Sequence, residues 1–345
     1  MATRWEGFMA GANLGHWISQ YENHGNKEHW DNYIIASDFA QMRSWGMDHV
    51  RLPVDYPMFE RDDAPGQYLE EGLHYIDWAL EQCRRNGLNL VLDLHKTPGF
   101  FFFDNKEAGK NDLFNSPAKQ ERFLNIWRMF AKRYAGEGDN LAFELLNELV
   151  CEDSLPWNAL WPKAVAAIRE ISPKRKIVVG SNRWNSVDEL KNLTLTDDSN
   201  VIYNFHCYAP IVFTHQRAPW ESWLMEYQTS VVYPVPVEEH RVFLEKHNPT
   251  FLGKYKVIDR AAMADILRPA AEFIAAHQRP LYCGEYGVIA NADLGSTVRW
   301  LDDITSIFNE LGIGHAVWSY RGFAKVTDAN RRPVCPGVIA AISRH

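Results

Sequence analysis

The chain has 345 residues, 46% hydrophobic and 23% charged, the balance of an ordinary soluble globular protein. A formal net charge of −8 and a pI near 5.9 argue against a nucleic-acid partner. No apolar run reaches the ~20 residues of a membrane span. Five cysteines, Cys83, Cys151, Cys207, Cys283 and Cys335, contain no CxxC pair and fit reduced, mostly buried thiols rather than a disulfide framework or zinc knuckle. With Met1 as the native start, the lack of an apolar signal core predicts a cytoplasmic protein; a leader removed upstream would predict a secreted one.

Strand and helix patterns alternate from end to end. Phe8 to Leu14 reads as the first strand, and Trp30 to Trp45 as a helix with Ile34, Ile35, Phe39, Met42 and Trp45 on one stripe. His49 to Val54 is the second strand, followed by a helix from Leu73 to Arg85 that stops at Gly87. Leu88 to Leu94 is near-continuously apolar, as a parallel strand covered on both faces should be. The next helix starts at Ser116-Pro117, an N-cap followed by proline in the first turn. It carries Phe123, Ile126, Trp127, Phe130 and Tyr134 at core-facing spacing. Leu141 to Leu146 is the fourth strand, Trp157 to Ile171 a helix, and Lys176 to Gly180 the fifth strand. A short helix is expected around Val187 to Leu190. Val201 to Phe205 is the sixth strand, Met263 to His277 a helix and Leu281 to Cys283 the seventh strand. A helix follows from Thr297 to Leu311, then the eighth strand from His315 to Trp318 and a terminal helix from Val338 to Ser343.

Eight such repeats predict an α/β fold of the (β/α)8 TIM-barrel type, in one domain spanning residues 1–345. A doubly wound open sheet would call for a G-x-G-x-x-G loop, which is absent. The long stretch from Ala209 to Asp259 after the sixth strand breaks the rhythm, since such loops usually run ~2–6 residues. It reads equally as a wall of a substrate cleft and as a packed flap or homo-oligomer contact. Pro98 to Phe114, with four consecutive phenylalanines, reads as a second aromatic loop.

The active site of a barrel lies at the C-terminal ends of its strands. Those ends here carry Asn13 and His16, Arg51, His95, Asn147-Glu148, Asn182 and Trp184, His206 and Tyr208, Glu285, and Trp318. Two apolar segments, Phe143 to Glu148 and Leu281 to Gly287, each lead to a glutamate. Carboxylates are rarely buried without a partner, and a facing pair is what cleavage of a glycosidic bond needs. The 13 Trp, 14 Tyr and 18 Phe also suit a sugar, whose apolar face packs on an indole ring.

The ordered set Arg51, His95, Asn147-Glu148, His206-x-Tyr208, Glu285 and Trp318 resembles glycoside hydrolase family five, the cellulase-type retaining barrel glycosidases. Gly11 to Trp17 and Val50-Arg51-Leu52-Pro53 match the opening of that family. Leu149 departs from it, since many members have proline there. The resemblance implies that Glu148 is the general acid and then base, and that Glu285 is the nucleophile, held ionised by Arg51 and Tyr208. Asn147 would bind the sugar 2-hydroxyl. His95 and His206 would bind hydroxyls or orient the glutamates, and Trp318 would floor the reacting sugar. Arg51, Asn13 and Trp184 complete the expected substrate-binding set. Glu144 and Asp93 are read as structural partners of a base. That mechanism requires no cofactor, and no metal is expected: a metal-dependent barrel hydrolase would want an H-x-H on the first strand or a clustered His/carboxylate set, the histidines are scattered through the sequence, and HExxH is absent. A non-catalytic sugar-binding barrel would normally lack one of the two carboxylates. The expected partner is a β-linked oligosaccharide or polysaccharide. The first reading is hydrolysis of β-1,4-linked glucan-type chains; the alternative is an exo-acting β-mannosidase or β-glucosidase on short oligosaccharides.

Overall fold

The computed structural model describes residues 4–20, 26–103, 111–323 and 326–345. Eight parallel strands close into a barrel: β1 (Ala10–Asn13), β2 (His49–Asp55), β3 (Asn89–Lys96), β4 (Leu141–Glu144), β5 (Lys176–Gly180), β6 (Val201–Cys207), β7 (Leu281–Tyr286) and β8 (Gly314–Val317). β1 pairs with both β2 and β8, which seals the sheet and leaves no edge. Side chains alternate along each strand. Outward residues such as Val50, Leu52, Leu90, Leu92, Phe143, Val179 and Phe205 join the large core beneath the helices. Inward residues Val91, Ala142, Val178, Ile202, Tyr282 and Ala316 form a second apolar cluster with Trp5 and Phe8, which plug the end where the strands begin.

The helix signals held where capping chemistry was explicit. Ser116 accepts the Lys119 N–H and Pro117 opens the helix to Arg133. Gly87 closes Glu70–Asn86 in a left-handed conformation, φ +64°. Two expected helices are each broken in two. Trp30 to Trp45 comprises Lys27–Asn32 and Ala36–Ser44, because the Asp38 carboxylate accepts the Ile35 N–H at 2.9 Å and starts a fresh helix there. Met263 to His277 comprises Arg260–Ile266 and Arg268–His277. Pro269 falls in the first turn of the second helix and has no N–H to donate to the carbonyl four residues earlier, so one helix cannot run unbroken through it.

The 209–259 stretch is a folded insert rather than an open loop. Its elements are the helices Ile211–Thr214, Ser222–Glu226 and Arg241–His247, and an antiparallel pair, Val235–Pro236 with Val257–Ile258. Phe213, Leu224, Tyr233, Val235 and Leu244 are buried in it. Tyr233 Oη donates to Asp303 at 2.8 Å, and the Trp300 indole N–H donates to Ala209 O at 3.0 Å, tying the insert to the helix before β8. In the other aromatic loop Phe100 and Phe102 are buried. Residues 104–110 of that expected loop lie outside the described residues.

Candidate active site

The barrel interior changes character from bottom to top in steps of two residues. β3 presents Val91, then Asp93, then His95; β4 presents Ala142, then Glu144; β6 presents Ile202, then Asn204, then His206. Apolar residues occupy the floor, an ionic layer sits above it, and the reactive groups stand at the mouth. β7 departs from this count. Phe205 pairs with Cys283 but His206 pairs with Glu285, so one extra residue, Gly284, is accommodated. The same shift appears against β8. This bulge turns Glu285 inward, where strict alternation from inward Tyr282 would have pointed it out. Cys283 and Cys207 lie in the outer core, as alternation predicts.

Arg51 is the hub of the ionic layer and is fully buried. Its Nε and Nη2 donate to the two oxygens of Glu144 at 2.7 and 2.9 Å. Nη1 donates to Asn13 Oδ1 at 2.9 Å and to Glu285 Oε1 at 2.8 Å. Nη2 also reaches Asn147 Oδ1 at 2.8 Å and Asp93 at 3.0 Å. A guanidinium has five N–H donors, and all are committed. Arg51 therefore holds protein groups and has no donor left for a sugar, which corrects its place in the substrate-binding set. Asn13 is corrected likewise. It is fully buried, its oxygen serves Arg51 and its amide donates to Gly284 O and Ala316 O. Glu144 and Asp93 are the expected structural partners. Burial pushes both carboxyls up to about 7 against the pull of Arg51.

Glu148 is not on the fourth strand. β4 ends at Glu144, and Glu148 follows four residues later with φ +42°, in the left-handed region. The segment is moored by Asn147 N–H to Leu94 O at 3.2 Å and by Trp184 N–H to Leu149 O at 3.1 Å. His206 Nδ1 lies 2.9 Å from Glu148 Oε1 and 3.7 Å from Glu285 Oε2. Reactive atoms of the three residues lie within 4.8 Å of one another. Tyr208 Oη donates to Glu285 Oε2 at 2.8 Å. Burial, and then the charge of Glu285, push the Glu148 carboxyl well above its usual range. Burial raises Glu285 too, but the Arg51 charge and the Tyr208 hydrogen bond oppose it. Arg51 and Tyr208 donate to Glu285 and favour its charge, which favours Glu148 as the holder of a proton shared by the pair. His206 is kept neutral by burial and by Arg51. Three such side chains could in geometry face a cation, but Arg51 already neutralises Glu285 and would repel one.

Around the pair are groups with unspent hydrogen-bonding capacity. Asn147 Nδ2 and His95 Nε2 are buried with no partner among the described residues. His95 bonds Asp93 through Nδ1 at 2.7 Å and stacks on Trp318, centroids 5.7 Å apart and planes 6° apart. Burial depresses the His95 pKa to about 3, so the ring is neutral. Trp184 stands at the rim, 45% exposed. Sequence reasoning missed two residues. Asn204 donates to Glu144 Oε1 at 2.8 Å and accepts the Gly284 N–H at 2.8 Å, pinning the bulge; the inward phase of β6 could have revealed it. Asn185 contacts His206 Nε2 at 3.1 Å, and no periodicity announces it.

The model of the cellulase family, glycosyl hydrolase family 5, matches residues 13–324. Endoglucanase C of Acetivibrio thermocellus is 45% identical over 343 residues, 98% of each chain. Cellodextrinase A of Ruminococcus flavefaciens is 36% identical over 309 residues, 89% of this chain and 84% of its own. Among solved structures, a hyperthermophilic endo-β-1,4-glucanase in complex with substrate shares the fold with TM-score 0.78 at 22% identity, over 98% of this chain and 97% of that one. Thermotoga maritima Cel5A in complex with mannotriose gives TM-score 0.79 at 23% identity over 97% of each chain. The buried carboxylate pair at the mouth of a closed barrel and this span of similarity lead to one conclusion: the chain belongs to the cellulase family, glycosyl hydrolase family 5, and is a glycoside hydrolase.

Proposed function

We propose that the enzyme hydrolyses β-1,4-linked glucan chains or cello-oligosaccharides with retention of anomeric configuration, Glu285 acting as nucleophile and Glu148 as acid and then base. The observation that carries this reading is the close, unequally held carboxylate pair. Retaining enzymes place their carboxyls ~5–5.5 Å apart, whereas inverting ones leave ~6.5–9.5 Å for a water. Here reactive atoms of both lie within 4.8 Å.

In the first step Glu285, ionised by its bonds to Arg51 and Tyr208, attacks the anomeric carbon. Glu148 gives its proton to the departing oxygen. A glycosyl ester forms on Glu285. In the second step the Glu148 carboxylate takes a proton from water, and the resulting hydroxide displaces the sugar from Glu285. Asn147 Nδ2 is free to bond the 2-hydroxyl while its oxygen stays on Arg51. His95 Nε2 takes another hydroxyl, and Trp318 supplies the apolar face. The glucan assignment rests on the endoglucanase and cellodextrinase relatives. Trp184 at the rim is assigned to a sugar further along the cleft.

A time course with reducing-end-labelled cello- and manno-oligosaccharides, read by NMR for the first anomer, tests the reading. A β-anomer released first from the cello series supports it. An α-anomer first, or preference for the manno series, overturns the mechanism or the substrate respectively.

A further inference from the structure

The turn after β5 is unusual. Arg183, Trp184 and Asn185 have φ values of +53°, +57° and +54°, three successive residues in a region that costs non-glycine residues free energy. The turn is fastened to the segment that carries Glu148. Asn182 Oδ1 accepts the Cys151 N–H at 2.9 Å and its Nδ2 donates to Cys151 O at 3.2 Å. Trp184 N–H donates to Leu149 O. Its last residue, Asn185, is fully buried and turns its amide Nδ2 onto His206 Nε2 at 3.1 Å. The Asn185 oxygen has no partner among the described residues and packs against Gly180. A buried carbonyl left unpaired is unfavourable. The amide nitrogen, rather than the oxygen, is the atom that faces His206 Nε2.

We infer that Asn185 is a positioning residue that fixes the tautomer of His206 and through it the direction in which Glu148 presents its proton. An amide N–H on Nε2 requires a lone pair there, so the single proton of neutral His206 sits on Nδ1. Nδ1–H then donates to Glu148 Oε1 at 2.9 Å, with Glu285 Oε2 at 3.7 Å behind it. Oε1 is occupied as an acceptor, which leaves the acid proton on Oε2, free for the leaving group. The opposite tautomer would aim an Nδ1 lone pair at both carboxylates. It would be satisfied only by turning the Glu148 proton inward, away from the substrate. The inference rests on the role of Glu148 proposed above.

The charged and titratable groups that act on this ring are Arg51 on β2, His95 on β3, Glu148 beyond β4 and Glu285 on β7; Asp93, Glu144 and Tyr208 act on the two carboxylates it touches. Asn185→Asp leaves them in place but supplies an acceptor to Nε2, which draws a proton there. His206 becomes either the other tautomer or an imidazolium, and the imidazolium would stabilise ionised Glu148.

The first test uses the wild-type enzyme alone. Nitrogen-15 NMR of the His206 ring should show Nδ1 protonated and Nε2 bare at neutral pH, and a proton on Nε2 overturns the inference whatever Glu148 does. The second test is kinetic. In Asn185→Asp, kcat/KM on cello-oligosaccharides should fall about 100-fold, within the range of general acid catalysis. On an aryl cellobioside with an activated leaving group the fall should be several-fold at most. The basic limb of the pH profile should move down by about one unit, the scale of a neighbouring charge. Equal losses on both substrates with an unmoved limb would mark Asn185 as merely structural and overturn the inference. Asn185→Gly, which suits the left-handed backbone, removes the donor without adding charge. It should show the same substrate split with a smaller pH shift, and uniform loss there also overturns it. If Glu148→Ala itself fails to discriminate between the two substrates, it is the assignment of Glu148 that falls, and the NMR result stands apart from it.

Discussion

Glu148 and Glu285 are the same side chain in the same cavity, yet the fold treats them as opposites. Glu285 lies within a paired strand, turned inward by a bulge, and takes hydrogen bonds from Arg51 and Tyr208. Glu148 stands beyond its strand on a left-handed residue and is bonded, among the described residues, to a neutral histidine. One carboxylate is surrounded by donors that favour its charge; the other is left with burial and a like charge that oppose it. Identity of residue type says nothing about role here. The number and kind of donors decides it.

The largest effect should come from removing the group that has no substitute. Glu285→Ala should lower turnover of every substrate by about 10⁴-fold or more, as loss of an essential nucleophile does, and azide should restore activity on aryl glycosides as a glycosyl azide seen by NMR. Unaltered oligosaccharide turnover would break the comparison. Glu148→Ala should cost about 10²–10⁴-fold on oligosaccharides and far less in kcat/KM on aryl glycosides with good leaving groups; a leaving-group series provides the measurement. Tyr208→Phe sharpens the contrast by removing one of the donors that distinguish the two acids. It should lower kcat/KM about 10-fold, the order of one hydrogen bond to a charged group. Without that donor the ionised form of Glu285 is less favoured, so its pKa rises and the acid limb of the profile moves to higher pH.

The smallest predicted effect concerns stability. The folded-state pKa of Asp93 is raised to about 7 from roughly 4 in an unfolded chain. A raised carboxyl contributes stability that is full below pH ~4 and is lost as the pH rises through ~7. Thermal unfolding of Asp93→Asn against wild type between those values should show a flatter pH dependence in the variant. A parallel pair of curves would mean that Arg51 keeps Asp93 ionised throughout.

Much of this contrast was legible in the chain, but unevenly. β5 falls on the residues expected from its apolar run, and the caps at Ser116 and Gly87 were readable because they follow from local hydrogen bonding and backbone sterics. The breaks at Ile35 and before Pro269 were overlooked because an apolar stripe continues across them. His95 and His206 lie near the ends of their strands and Tyr208 just past one, and His206 and Tyr208 contact the glutamates. Arg51 bonds Glu285 as expected, but it and Asn13 spend their remaining hydrogen bonds on protein groups rather than standing open to a sugar. A sequence shows which face a strand residue takes, but not how far down the barrel its neighbours' side chains close over it. Asn185 was invisible because three left-handed residues in a row have no composition signal when none is glycine.

The extra residue in β7 has a further consequence. A strand keeps count in twos, and Gly284 is where that count is reset, so the residues below it and above it obey different parities. Tyr282 belongs to the apolar floor and Glu285 to the reactive mouth, although an odd number of steps separates them. The reset favours a residue without a side chain, since a Cβ at position 284 would crowd Asn204 Nδ2 at 2.9 Å and His206 Nε2 at 3.0 Å. The sequence thus encodes the nucleophile's address in two parts, a glutamate and a missing methyl group before it. A regular strand grafted into this barrel with its glutamate intact would deliver that carboxylate to the wrong side of the wall.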